Sequence, residues 1–278
     1  MEILRYAAFT ADPSGGNPAG IVLDAPALSD SAMLKTAAEI GFSETAFVTL
    51  DDSGSFRTRY FSPLIEVPFC GHATIALAVA HAERHGPGSM RLETSAGVVS
   101  VSTERAADGS MVATLISVPP RSVELADDDL TELLASLRWP ASDLDIALPP
   151  RVAYAGAWHP VIAAASRARL AELDYDMTML AGLMRRKDWA TIDLIWRESP
   201  AVYYARNPFP PGGVVEDPAT GAAAAAFGGY LREFGLIPVP ATIIIHQGQD
   251  MGRPGVITVS IPADATTGLA VSGTAVAM

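Results

Sequence analysis

Pro68-Phe69-Cys70-Gly71-His72-Ala73-Thr74-Ile75-Ala76-Leu77-Ala78-Val79-Ala80-His81-Ala82 contains a run, from residue 73 onward, that is apolar on every side of a helix until His81. A helix that is apolar all round must be buried all round. A second stretch has the same character. Glu216-Asp217-Pro218-Ala219-Thr220-Gly221 forms a polar turn, and residues 222–230 continue as Ala, Phe, Gly and Tyr. Small side chains let strands approach such a helix closely on every face. Gly71-His72-Ala73-Thr74 and Asp217-Pro218-Ala219-Thr220 both place Ala-Thr behind a titratable residue and a Gly or Pro, which points to a weak internal duplication.

Outward from these helices, residues 3–9, 20–23, 45–50 and 55–61 are short β-branched or aromatic runs between turn signals and read as strands. Asp51-Asp52-Ser53-Gly54 reads as a hairpin turn. Residues 29–40 read as an amphipathic helix with Ser29 as N-cap, Met33, Leu34, Ala37 and Ile40 on one face, and Gly41 just past its end. Strand-like runs at 90–94, 98–103 and 111–117 lead to Pro119-Pro120, the expected domain boundary. The second half repeats the plan, with helices near 127–137 and 176–186. Strands are expected near 152–155, 161–165, 190–196, 201–206, 242–246, 256–261 and 270–277. The fold class expected is α/β (α+β).

The chain has 278 residues, enough for one large domain or two of about 100–150. With 49% apolar and 18% charged residues and a mean hydropathy of +0.25, it buries a sizeable core, and disorder is excluded. Nineteen basic against 31 acidic residues give a net charge of −12, which argues against nucleic acid and anionic membrane as partners. Apolar stretches are too short for a bilayer span, and the opening Met1-Glu2-Ile3-Leu4-Arg5 has no signal-peptide character, so a cytoplasmic location is expected. Cys70 is the single cysteine, there is no Cys-x-x-Cys spacing, and no Gly-x-Gly-x-x-Gly follows a strand. Neither a metal nor an organic cofactor is expected.

His72 and Asp217 stand at the expected N-termini of the two buried helices, where unpaired N–H groups and the helix dipole favour a carboxylate ligand. Bland alternatives stand beside each. Asp217-Pro218 is also an ordinary N-cap followed by proline at N1, and His72 is equally read as a hydrogen-bonded core histidine. Glu44, in Ser43-Glu44-Thr45, is an acid opening a strand, a position usually solvated, and Asn17 after Gly15-Gly16 is also read as part of a tight turn. Cys70 is read as a small buried apolar residue, because a two-thiol racemase needs a second cysteine. Asp127-Asp128-Asp129 and Arg185-Arg186-Lys187 are read as solvated helix-end charges with the signs the dipole favours.

Phe9-Thr10 with Gly16-Asn17-Pro18-Ala19, and Phe42-Ser43-Glu44-Thr45-Ala46-Phe47-Val48, resemble the N-terminal signature of the phenazine-biosynthesis isomerase (PhzF-like) family. Pro68-Phe69-Cys70-Gly71-His72-Ala73-Thr74 and Glu216-Asp217-Pro218-Ala219-Thr220-Gly221 resemble two further blocks in order, and Gln247-Gly248, Gly252-Arg253-Pro254 and residues 271–276 resemble its tail. The resemblance spans essentially the whole chain. It implies a diaminopimelate-epimerase-like fold: two similar lobes, each a curved, barrel-like sheet wrapped around a central helix, with an active-site cleft between them. The lobes expected are residues 1–118 plus 266–278, and 119–265, in a homodimer.

The resemblance further implies a cofactor-independent proton-shifting isomerase acting on a small carboxylate-bearing substrate. Glu44 would be the acid/base, with His72 and Asp217 assisting. Asn17, Gly71, Ala73, Thr220, Gly221 and Ala222 would contact the substrate. The phenazine enzymes carry Ser after the Thr-Gly pair where this chain has Ala222, so one substrate hydrogen bond is lost and the phenazine precursor is in question. An amino-acid racemase or epimerase, and a non-catalytic small-molecule binding protein on the same scaffold, are the competing readings.

Overall fold

In the computed structural model, which describes residues 1–25, 28–50 and 55–278, the chain divides into two units, Met1–Ile116 with Ser272–Met278, and Ser117–Val271. The first unit contains β1 (Leu4–Ala8), β2 (Asn17–Val22), α1 (Asp30–Ile40), β3 (Glu44–Leu50), β4 (Phe56–Phe61), β5 (Glu66–Val67), α2 (Gly71–His85), β6 (Ser89–Thr94), β7 (Gly97–Arg105) and β8 (Met111–Ile116). The second contains β9 (Arg121–Glu124), α3 (Asp127–Leu137), β10 (Arg151–Tyr154), β11 (Trp158–Ala163), α4 (Arg167–Ala171), α5 (Met177–Lys187), β12 (Asp193–Ser199), β13 (Val202–Pro208), β14 (Glu216–Asp217), α6 (Gly221–Glu233), β15 (Ala241–Gln247) and β16 (Gly255–Ile261). The last strand, β17 (Ala270–Ala277), returns to the first unit.

The first unit is a closed ring of eight strands. From β1 the pairings run through β2, β3, β4, β6, β7, β8 and β17 and back to β1. Helix α2 is packed against β1, β2, β3, β7 and β8, and His72 through Ala80 and Ala82 are all buried. Ile75, Leu77 and Val79 fill the interior, each worth roughly 1.5–3 kcal/mol of burial, while the alanines between them keep the strands close. Helix α1 lies outside the ring, where Met33 and Ala37 meet Val22, Ala25, Phe47 and Phe61. Ser29 caps it by accepting from the Ala32 N–H, and Gly41 ends it in the left-handed region at φ 74°. Strands β3 and β4 pair from Thr45↔Phe61 to Leu50↔Phe56, and the expected turn at Asp51-Asp52-Ser53-Gly54 lies outside the described residues.

In the second unit the sheet order is β9-β10-β11-β12-β13-β15-β16. Helix α6 packs against β9, β10, β11 and β16, so both outermost strands meet one helix and the sheet must curl around it. Close approach explains Gly228 and Gly229, where an added Cβ would lie 2.6 Å from Leu269 and 2.4 Å from Pro120. On the outer face, α3 and α5 bury Leu133, Leu137, Leu180, Leu183 and Met184 against Ile162 and Leu194. Their charged ends are not merely solvated, as the sequence suggested. Lys187 pairs with Asp129 at 2.7 Å and Arg186 with Glu132 at 2.5 Å, because the acidic start of α3 lies beside the basic end of α5.

The duplication is explicit in the pairings. The pairs β1–β2, β3–β4, β4–β5 and β6–β7 are antiparallel, as are β10–β11, β12–β13, β13–β14 and β15–β16. Parallel β2–β3 and β4–β6 match parallel β11–β12 and β13–β15. In both units two residues separate the short strand's Val67 or Asp217 from the helix N-cap, Cys70 or Thr220. Cys70 therefore corresponds to Thr220 and His72 to Ala222, and the same ladders put Thr191 where the first unit has Glu44. The two Ala-Thr pairs noticed in the sequence are one helical turn out of register, because α6 begins later than Asp217-Pro218 suggests.

Candidate active site

Glu44 is the first residue of β3 and lies beside Ala19 of the parallel strand β2. Cys70 is the N-cap of α2 with extended backbone, and no side chain caps the helix there. Its backbone is pinned instead. The Thr74 hydroxyl donates to the Cys70 carbonyl at 2.7 Å, and the buried Tyr60 hydroxyl meets Thr74 Oγ1 at 2.6 Å. Pinned in this way, the first turn of α2 presents Cys70 and His72 to Glu44.

His72 Nε2 lies 3.4 Å from Glu44 Oε2 and 3.3 Å from Ser43 Oγ, and Cys70 Sγ lies 3.3 Å from His72 Nδ1. His72 is 7% exposed and Glu44 16%. Burial raises the Glu44 carboxyl above the ordinary glutamate range, and hydrogen bonds from Ser43 and Cys70 partly oppose it. A carboxyl poised in this way, touching an imidazole and a thiol, is equipped to take and return a proton.

Two readings of the sequence change here. Cys70 is buried, but it is a hydrogen-bonding member of the cluster rather than a small apolar filler. Metal-ligating types also do converge, at Glu44, Cys70 and His72, although their sequence spacing gives no sign of it.

Of the expected substrate contacts in this unit, Asn17 opens β2 opposite Ala8 and is fully buried, Ala73 is buried, and Gly71 is half-buried. The glycine before Asn17 is obligatory. Gly16 has φ +54°, and a Cβ there would lie 2.1 Å from the Ala8 carbonyl oxygen.

In the second unit Asp217 is not the N-cap of α6. It belongs to β14, opposite Asn207, and Thr220 takes the N-cap position with no side-chain cap. The Asp217 carboxylate accepts from the Thr220 hydroxyl at 2.5 Å. Gln247, buried at the end of β15, binds both. Its Nε2 donates to the Asp217 carbonyl at 2.8 Å and to Thr220 Oγ1 at 3.0 Å, and its Oε1 accepts from the Thr220 N–H at 3.0 Å. Gly221 is buried and Ala222 half-buried in the first turn. Sequence reasoning did not single out Gln247; its only signal was the Gln247-Gly248 pair in the tail of the resemblance.

Two buried polar arrangements back this segment. Arg206 makes a bidentate pair with Glu216, the residue before Asp217. The His159 ring meets Thr191 at 2.8 Å, Thr191 donates to Asn207 at 2.6 Å, and Asn207 donates to Asp193 at 3.1 Å. Burial pushes Asp193 up to about 7 and His159 down to about 4.

The profile of the phenazine biosynthesis-like protein family (PhzC-PhzF) matches residues 6–278. The chain is 33% identical over 278 residues to the trans-2,3-dihydro-3-hydroxyanthranilate isomerase of Pseudomonas chlororaphis, covering 97% of this chain and 94% of that protein. It is 31% identical over 283 residues to an uncharacterised isomerase, YddE, of Escherichia coli K12, covering 99% and 95%. Its fold is similar to the crystal structure of a PhzF-family phenazine biosynthesis protein of Bacillus anthracis, with a TM-score of 0.88 and 28% identity over 100% of this chain and 98% of that one. Among the described residues no helix is long and apolar enough to cross a membrane.

Proposed function

Because the chain belongs to the phenazine biosynthesis-like protein family, whose curated relatives are named isomerases, we propose that it moves a proton α or vinylogous to a carboxylate in a small cyclic or amino-acid substrate. Glu44 carries the proton, and His72 holds its carboxylate and shares the charge. Backbone N–H groups at the start of α2 serve the substrate carboxylate, and in the second unit Asp217 and Gln247 fix the start of α6. Asn17, Gly71, Ala73, Thr220, Gly221 and Ala222 are assigned to substrate contact on the family resemblance. The protein is taken to work as a homodimer without a cofactor.

The observation that carries this reading is the asymmetry of the repeat. Glu44 and His72 correspond to Thr191 and Ala222, neither of which titrates near neutral pH. Inverting a stereocentre by two bases calls for a second acid/base group opposite the first. A single Glu–His pair, not repeated in the second unit, suits removal and return of a proton on one face, which shifts a double bond instead. Ala222 lacks a hydroxyl, which favours substrates with no polar group needing a partner there.

Incubation in D₂O with dihydroaromatic acids and with amino acids, followed by NMR, tests the proposal. Deuterium incorporation with double-bond movement is expected. Incorporation with inversion and no such movement would establish a racemase, and binding without exchange a binding protein.

A further inference from the structure

Among the described residues, one group of three metal-ligating side chains comes together: Glu44, Cys70 and His72, whose ligand atoms all lie within 4.8 Å of one another. Glu44 Oε2 lies 3.4 Å from His72 Nε2, and Cys70 Sγ lies 3.8 Å from that same nitrogen. A tetrahedral zinc ion with bonds of about 2.3 Å to sulfur and about 2.0–2.2 Å to nitrogen and oxygen separates its ligands by about 3.3–3.6 Å. The Glu44–His72 edge matches that geometry, whereas Cys70 Sγ is nearer Nδ1, at 3.3 Å, than Nε2, so the sulfur must swing to the Nε2 side to share an ion with Glu44. The pinned start of α2 fixes the Cys70 backbone, which leaves its side-chain torsion to bring Sγ to the ion, and the Glu44 and Cys70 ligand atoms lie within 4.8 Å of each other.

We propose that Glu44, Cys70 and His72 bind one Zn²⁺ ion, with water as fourth ligand, and that the bound ion holds the enzyme inactive. The inhibition, though not the binding, rests on Glu44 being the proton carrier: a lone pair given to the metal cannot accept a substrate proton.

Charge and ligand softness support this assignment. A thiolate, a carboxylate and a neutral imidazole supply two negative charges, which Zn²⁺ cancels, so the occupied site is neutral where burial penalises an isolated carboxylate. A thiolate and an imidazole favour zinc over magnesium and calcium, which prefer oxygen sets. On binding, the Cys70 thiol and any protonated fraction of Glu44 and His72 release their protons to solvent. A second metal-ligating pair, His81 and His85 on α2, has its rings 4.5 Å apart but supplies only two ligands.

Cobalt(II) provides a readout that needs no substrate. Titrating the whole protein should saturate at one ion per chain, with tetrahedral d–d absorption, a thiolate-to-cobalt charge-transfer band and displacement by Zn²⁺. Cys70→Ser should abolish the charge-transfer band and weaken binding at least tenfold. Glu44→Gln should keep the band and weaken binding, so the proposal is tested even where one variant fails to fold. Absence of saturable binding, or binding lost in His81→Ala but unchanged in Cys70→Ser, overturns the site. Binding at the triad with D₂O exchange undiminished overturns the inhibition alone. Exchange that is absent even in metal-free protein overturns the proton-carrier reading and leaves the site standing.

Discussion

Glu44→Gln separates chemistry from architecture. Gln keeps the shape and the hydrogen-bond reach of the carboxylate toward His72 and Ser43, but it cannot carry a proton. General acid–base catalysis contributes typically 10²–10⁴-fold, so exchange should fall by about that factor, or roughly 3–5 kcal/mol of transition-state stabilisation. Stability should move the other way. Because burial raises the Glu44 carboxyl in the folded chain, the native state holds that proton more tightly than the unfolded state does. Native stability therefore drops as pH rises through the window above the ordinary glutamate value, and the cost persists at neutral pH. The amide carries no such charge, so the variant should melt at or above the wild-type temperature at pH 7, and its stability should lack this decline. D₂O exchange by NMR and thermal melting from pH 4 to 8 read both effects on one sample. Exchange within tenfold of wild type, or a melting temperature lowered as by a core cavity, would refute the reasoning.

Cys70→Ala should leave exchange within about tenfold, because no second thiol exists for two-base chemistry. Losing a hydrogen bond to the ionised Glu44 should also move the midpoint of its pH profile upward. The His159–Asp193 network should contribute almost no pH dependence between about pH 4 and 6.5. The folded chain holds one proton there, on Asp193, and the unfolded chain also holds one, on the histidine. Asp193→Asn should unmask a stability that rises with pH across that window, and His159→Leu one that falls between about pH 4 and 7, both read by urea unfolding. Glu216→Ala strands the buried Arg206 guanidinium and should cost about 3–5 kcal/mol by the same method, with partial recovery on replacing Arg206 by Met as well.

Features with a local cause were legible in the sequence. Ser29 and Gly41 mark both ends of α1 through cap chemistry, and the absence of charged residues between Ala73 and Ala80 announces that α2 is buried. Strands β5 and β14, of two residues each, were not legible, since two residues carry no periodicity, and missing β14 is why Asp217 was placed on the helix. Glu44 and His72 were found through flanking residues, but their contact spans 28 residues and belongs to the closed sheet. Gln247 and the Arg206–Glu216 pair act through partners 10 to 30 positions away, so neither has a local signature.

The strand that closes the first ring is made only after the second unit. During synthesis β1 and β8 emerge early, yet each lacks its neighbour until β17 appears. At about 5–20 residues per second, the roughly 155 residues from Ser117 to Val271 occupy about 8–30 s of translation. For that interval the nascent first unit has two open edges, the kind of surface that pairs with other chains. The second unit can reach its own core in the meantime, so the order of synthesis favours the inserted unit folding first and the enclosing one afterwards. In a cell, the hazard to this protein is therefore greatest while its ribosome is still at work.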